Sequence, residues 1–159
     1  MKNLTTTRPR WAGHRLPFFL IFLLSVNVAF ADTFYVSTTG SDGSDGSQSR
    51  PWRTVAHAAR AVPAGRHTIS VGAGTYQEGP VDLKPGVSLQ GAGRERTTIR
   101  NNTFTWWSGA IRLVSAGATA GDQGVSGLTL DGMNAAGFEG VQILNRSGVR
   151  LSDVRIQHF

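Results

Sequence analysis

Five polar residues late in the chain, Asp131, Glu139, Asp153, Arg155 and His158, are of types that can move protons or hold developing charge. A lyase needs a base that removes the proton α to a carboxylate, plus a cation or metal to stabilise the resulting charge. A glycoside hydrolase needs two carboxylates about 5 to 10 Å apart. A self-match of the chain, Ser126-Gly127-Leu128-Thr129-Leu130-Asp131 with Ser152-Asp153-Val154-Arg155-Ile156-Gln157, sets Asp131 opposite Gln157 and Asp153 opposite Gly127. No carboxylate pair arises there, and all five residues read first as structural or solvated groups. Catalytic residues are not identified.

Trp106 and Trp107 are the candidate substrate-binding pair. The flat apolar face of an indole suits a sugar ring, and the competing role is to fill the core or cover an edge. Other constellations fail on spacing. Gly74-Thr75-Tyr76-Gln77-Glu78-Gly79 opens like a phosphate loop, but Pro80 stands where lysine is required. Gly72-Ala73-Gly74 lacks the third glycine of a dinucleotide motif, so these glycines read as turns. Asp42 and Asp45 lie three apart and miss calcium-loop spacing, which favours a solvated loop. His57 and His67 have no partner at metal-ligand spacing. No metal site and no cofactor are expected in this chain. With no cysteine, disulfides, thiolate zinc sites and cysteine nucleophiles are excluded.

The basic excess is largely a leader. Lys2, Arg8, Arg10 and Arg15 precede an apolar block over 16–30, which ends in Ala29-Phe30-Ala31. A basic start, a short apolar stretch and a small-x-small end describe a secretory signal peptide over 1–31. As a membrane anchor the block falls short of about 20 apolar residues, and Ser25 and Asn27 interrupt it. Four of the 16 basic residues fall in the leader, which leaves 12 against 10 acidic residues in 32–159. The pI of 11.0 therefore does not indicate nucleic-acid binding, and the remaining arginines are scattered. An exported chain without cysteine fits a bacterial periplasm or exterior, with no membrane association after cleavage.

The elements that would carry these residues are short. Over 32–66 a strand at Phe34-Tyr35-Val36-Ser37 leads into a Gly/Ser/Asp loop. Thr54 then reads as the N-cap of a helix over 55–62, with Val55, Ala58, Ala59 and Val62 on one face. Over 67–159 apolar-polar-apolar triplets alternate with glycine or asparagine turns: Ile69-Ser70-Val71, Val81-Asp82-Leu83, Val87-Ser88-Leu89, Ile111-Arg112-Leu113, Leu128-Thr129-Leu130, Val141-Gln142-Ile143, Val149-Arg150-Leu151 and Val154-Arg155-Ile156. Each has one face for a core and one for solvent. Strands this short do not stand alone, and the self-match at an offset of 26 is the period of a solenoid coil. A sandwich would need longer strands at closer spacing. Asn145 suits a turn with positive φ and a stacking role between coils.

Phe34-Tyr35-Val36-Ser37, Pro51-Trp52-Arg53-Thr54-Val55, Gly72-Ala73-Gly74-Thr75-Tyr76-Gln77-Glu78 and Val87-Ser88-Leu89-Gln90-Gly91-Ala92-Gly93 together resemble the entry segment of right-handed parallel β-helix proteins of the pectin-lyase-like superfamily. The resemblance implies an all-β, right-handed parallel β-helix whose short N-terminal α-helix caps the solenoid. About four coils fit after residue 65, which is few for the superfamily, and the chain stops just after a strand triplet. The expectation is an N-terminal fragment of a longer exported protein, inactive and aggregation-prone on its own. Two functions stand open. One is a polysaccharide lyase or glycoside hydrolase with its catalytic groups on later coils. The other is a non-catalytic glycan-binding or adhesion module. The partner is a polysaccharide or glycan in either case, and a full-length member could carry calcium.

Overall fold

The computed structural model describes residues 31–101, 109–134 and 139–159. Residues 1–30 of the expected 1–31 leader and the Trp106-Trp107 pair lie outside the described residues. Among the described residues nine elements follow one another: β1 (Thr33–Val36), α1 (Val55–Ala61), β2 (Thr68–Val71), β3 (Gly74–Glu78), β4 (Val81–Asp82), β5 (Ser88–Gly91), β6 (Thr97–Asn101), β7 (Gly109–Asp131) and β8 (Glu139–Gln157). The domain is all-β but for one short helix. No helix among the described residues is long and apolar enough to cross a membrane.

The helix forms where its caps and face dictate. Thr54 is extended and its side chain accepts from the N–H of His57. Val55, Ala58 and Ala59 are buried, and Lys84 closes the far end by donating to the carbonyls of Arg60 and Val62 at 2.6 and 2.8 Å. A helix of about two turns has little stability alone. Here it lies on β1, β2, β3 and β4, covering the end of the sheet that precedes the first layer.

Every strand pairing is parallel. The sheet curls into a half-barrel because β7 pairs along its length with three different preceding strands. Val81 of β4 meets Ile111, Leu89 of β5 meets Val125, and Ile99 of β6 meets Leu130. Inward side chains stack from layer to layer. One row runs Phe34, Ile69, Leu89, Val125, Leu151, and another runs Tyr76, Ile99, Leu130, Ile156. Parallel strands about 4.8 Å apart bring like residues into contact, so the rows form one continuous core. This is a repeat-containing, solenoid-like arrangement.

The self-match is realised residue for residue. Ser126 pairs with Ser152, Leu128 with Val154, and Asp131 with Gln157. The corners between walls use positive φ: Gly127 at 63° is matched by Asp153 at 52°, and Asn145 adopts 55°. A side chain at Gly91 would collide with the carbonyl of Gly127, so the two corners approach to backbone contact.

Residues 74–78 differ from the sequence expectation of a glycine turn. They form β3, with Tyr76 and Glu78 buried and Thr75 and Gln77 exposed. The alternation holds only a single apolar residue, and its second inward position is a carboxylate.

Candidate functional site

The wall made by β3, β6, β7 and β8 carries two outward rows in register. One is Thr75, Thr98, Thr129, Arg155, and the other is Gln77, Arg100, Asp131, Gln157. The second row converges on Asp131. Its side chain is only 8% exposed, and its Oδ1 lies 2.9 Å from Nδ1 of His158. The N–H of Met133 donates to the same oxygen at 3.1 Å, while Nε of Arg100 sits 3.4 Å from Oδ2. Burial works to raise the Asp131 pKa. The hydrogen bonds from His158 and Met133, with the charges of His158 and Arg100, outweigh it and hold the carboxyl below the ordinary aspartate value.

The backbone secures this cluster. Gly132 donates to the carbonyl of Gln157 at 3.0 Å, and Asn134 donates to that of His158 at 2.7 Å. Arg100 and His158 remain about half exposed, so two groups able to carry positive charge face solvent around a recessed carboxylate. A carboxylate held ionised is a weak base. Its capacity here is to orient the imidazole and anchor the guanidinium, leaving Nε2 of His158 and the remaining Arg100 donors for an incoming anion.

Of the five polar candidates, the structure brings together Asp131 and His158. Asp153 and Arg155 lie in an exposed ladder instead: Arg94 reaches Asp153 at 3.3 Å, and Arg155 pairs with Glu95 in a fork whose longer arm is 2.9 Å. Pairs this exposed contribute little stability. Glu139 opens β8 at the surface. Arg100 was not singled out by sequence. Only the β6–β7 register brings it to Asp131, and no local pattern marks it. Among the described residues no group of three His, Asp or Glu side chains could hold a metal ion.

A second polar site lies between the cap and the first layer. Asp42, expected in a solvated loop, is tied down. Its Oδ1 accepts from the N–H groups of Arg53 and Thr54 at 2.9 Å each, and its Oδ2 accepts from the Thr54 hydroxyl at 2.8 Å. Burial pushes its pKa up, but these bonds and the charge of His57 leave it lowered. Beside it Glu78, 5% exposed, accepts from the N–H of Val55 at 2.7 Å and of Ala56 at 3.3 Å. Burial is the largest influence on Glu78 and raises its pKa, the nearby Asp42 charge adds to this, and the two N–H bonds and Arg60 oppose it. A cleft of about 240 Å³ opens against Glu78, lined by Thr38, Arg53, Thr54, Thr75, Tyr76 and Gln77.

Comparison with known proteins links the chain to a described family and to a curated relative. A family model described as "Protein of unknown function (DUF1565)" matches residues 38–159. The chain is also 45% identical over 53 residues to "Uncharacterized protein YwoF" of Bacillus subtilis (strain 168), a stretch that is 33% of this chain and 11% of that protein. The matched part thus spans about a ninth of the length of that curated relative.

Proposed function

This chain belongs to the DUF1565 family of proteins of unknown function, and we propose that it is an exported glycan-binding β-solenoid of the right-handed, pectin-lyase-like kind. Its ligand is an acidic polysaccharide lying along the outer wall. The observation that carries this reading is the convergence of Arg100 and His158 on Asp131, on a wall whose outward rows continue from layer to layer. A recessed carboxylate fixes both groups, while their outer donors face solvent. That suits a carboxylate or sulfate on the polymer, because a charge-assisted hydrogen bond to a preorganised donor is stronger than a neutral one. Extended ligands suit long parallel faces. Trp106 and Trp107 belong to the segment that joins β6 to β7, and in this proposal they stack on the sugar rings.

The test is retention of the protein on immobilised polyuronate against a neutral polysaccharide. Selective retention that weakens about tenfold in Arg100→Gln, and again in Trp106→Ala or Trp107→Ala, supports the reading. Equal retention on both matrices, or no effect of Arg100→Gln, overturns it.

One observation favours a catalytic variant. The imidazole of His158 and the guanidinium of Arg100 flank the same carboxylate. A lyase needs such a pair, with the imidazole as base at the α carbon and the cation to neutralise the uronate carboxylate. Appearance of unsaturated uronate products, lost in His158→Gln, would convert the binding site into an active site. Binding without products leaves it a binding site.

A further inference from the structure

The two outward rows of the wall do not begin at an open end. Their first members, Thr75 and Gln77, line the cleft beneath the cap, together with Thr38, Arg53 and Thr54 from the cap itself. A polymer lying along the rows therefore ends at this cleft, where its last ring meets Thr38, Arg53, Thr75 and Gln77. We infer that this cleft is a terminal subsite that receives one uncharged sugar ring, the end of the glycan chain. The inference rests on the glycan-binding reading for the polymer, but the cleft's own chemistry stands apart from that wall.

The lining fits a polyhydroxyl ring. Thr38, Thr75, the Gln77 amide and the Arg53 guanidinium supply both donors and acceptors, while the Thr54 hydroxyl is engaged with Asp42 and His57. Glu78 accepts from two backbone N–H groups, and a carboxylate offers about four acceptor positions, so it retains capacity for ring hydroxyls. The N–H groups at the start of α1 are already taken by Glu78 and Asp42, so the helix end is not what recognises the ligand. Asp42 and Glu78 beside the cleft outnumber the cation in its lining, Arg53, which disfavours a terminal uronate. A volume of about 240 Å³ far exceeds the about 15 Å³ that one water requires.

The experiment is titration of the full chain with a panel of neutral methyl glycosides (glucoside, galactoside, xyloside, arabinoside and rhamnoside), read by saturation-transfer NMR. At least one is expected to bind saturably, with Thr75→Val and Gln77→Ala each weakening it about tenfold, the loss of one good hydrogen bond. Asp82→Asn, on another wall, is expected to leave it unchanged. Thr38→Val provides an independent probe from the cap side, and circular dichroism establishes that each variant is folded. Saturation by none of the panel, or equal affinity in Thr75→Val, Gln77→Ala and Thr38→Val, overturns the inference. Neutral glycosides do not read the Arg100 wall, so this result is separable from the polyuronate test: loss of polyuronate retention with intact glycoside binding faults the wall and leaves the cleft standing.

Discussion

Nδ1 of His158 lies 2.9 Å from Oδ1 of Asp131, which joins the last layer of the wall to the layer beneath it. Because Arg100 approaches the other carboxylate oxygen from the layer below, one aspartate ties together three successive layers. The folded Asp131 pKa lies below its ordinary value, which is about 3.9 in an unfolded chain. Its contribution to stability is therefore complete above that value and disappears as the pH falls through the folded pKa. Asp131→Asn is expected to lower unfolding free energy by about 1.5 kcal/mol at neutral pH, as loss of a hydrogen bond to a charged group does. The difference from wild type should vanish in acid. Urea melts of both proteins across the acid range measure it, and a pH-independent difference would rule out the ionised carboxylate as the cause.

Glu78 predicts the opposite sign. Its folded pKa is raised, so the unfolded chain, with a value of about 4.3, ionises first. Stability contributed by this group is greatest in acid and declines as the pH rises from the unfolded value through the folded one. Glu78→Gln should flatten that decline while keeping an oxygen for the Val55 N–H. Glu78→Ala should flatten it too, and lie about 1–2 kcal/mol below Glu78→Gln at every pH, as loss of a helix cap does. In thermal melts, the pH slope of wild type against both variants reads the titration, and the constant offset between the two variants reads the capping.

The layer repeat was legible where no insertion interrupts it. Segments 126–131 and 152–157 occupy the same walls of consecutive layers, so a fixed offset exposes the pairing of Ser126 with Ser152. Earlier layers differ in loop length. Thr98 pairs with Thr129 and Leu89 with Val125, at offsets of 31 and 36, and no single period aligns them. That irregularity concealed Arg100. The helix and its cap were legible because Thr54 and the Val55, Ala58, Ala59 face are local signals. Glu78 and Arg146 were not, since a charged residue in isolation reads as surface. Only three-dimensional packing shows that carbonyl and N–H groups surround them.

Arg146 is the test of that packing. It is 9% exposed, and Nη1 donates to the carbonyl of Leu83 at 2.5 Å and to Oε1 of Gln123 at 3.2 Å. Nη2 donates to the carbonyl of Val114 at 2.8 Å and to Oγ of Ser115 at 2.9 Å. These partners lie in different layers and need a planar fork. Burial lowers its pKa, though arginine stays charged. Arg146→Met should cost about 3 kcal/mol by leaving buried acceptors unpaired, and Arg146→Lys should recover only part, because an ammonium cannot span the fork. Denaturant midpoints of the two variants decide between fork geometry and charge alone. Full rescue by lysine would leave only the charge.

The corners predict a graded response. Gly127 has φ of 63°, and a Cβ there would meet the Gly91 carbonyl oxygen at 2.8 Å. Gly127→Ala combines that contact with the left-handed penalty, which is about 1–2 kcal/mol for an ordinary residue. Asn145 and Asp153 tolerate the same region better, so Asp153→Gly should be neutral or stabilising. Thermal melts that rank Gly127→Ala as the most damaging and Asp153→Gly as the least would confirm the corner conformation. The reverse order would contradict it.

The last prediction concerns β8, whose described backbone pairs only with β7. Its residues continue the inward rows: Ile143 over Leu113, Leu151 over Val125, and Ile156 over Leu130. Yet Ile143, Leu151 and Ile156 remain 43–48% exposed, while the residues beneath them are fully buried, and Leu144 beside them is 53% exposed. An open strand edge beside a band of exposed apolar side chains templates further pairing. Residues 32–159 as an isolated chain should therefore self-associate with concentration. Leu144→Lys combined with Leu151→Lys should suppress this without unfolding the lower layers, because charge on an edge strand opposes pairing. Sedimentation velocity over a concentration series reads the outcome directly. A wild-type chain that stays monomeric at high concentration would show that the β8 edge is protected by something other than another strand.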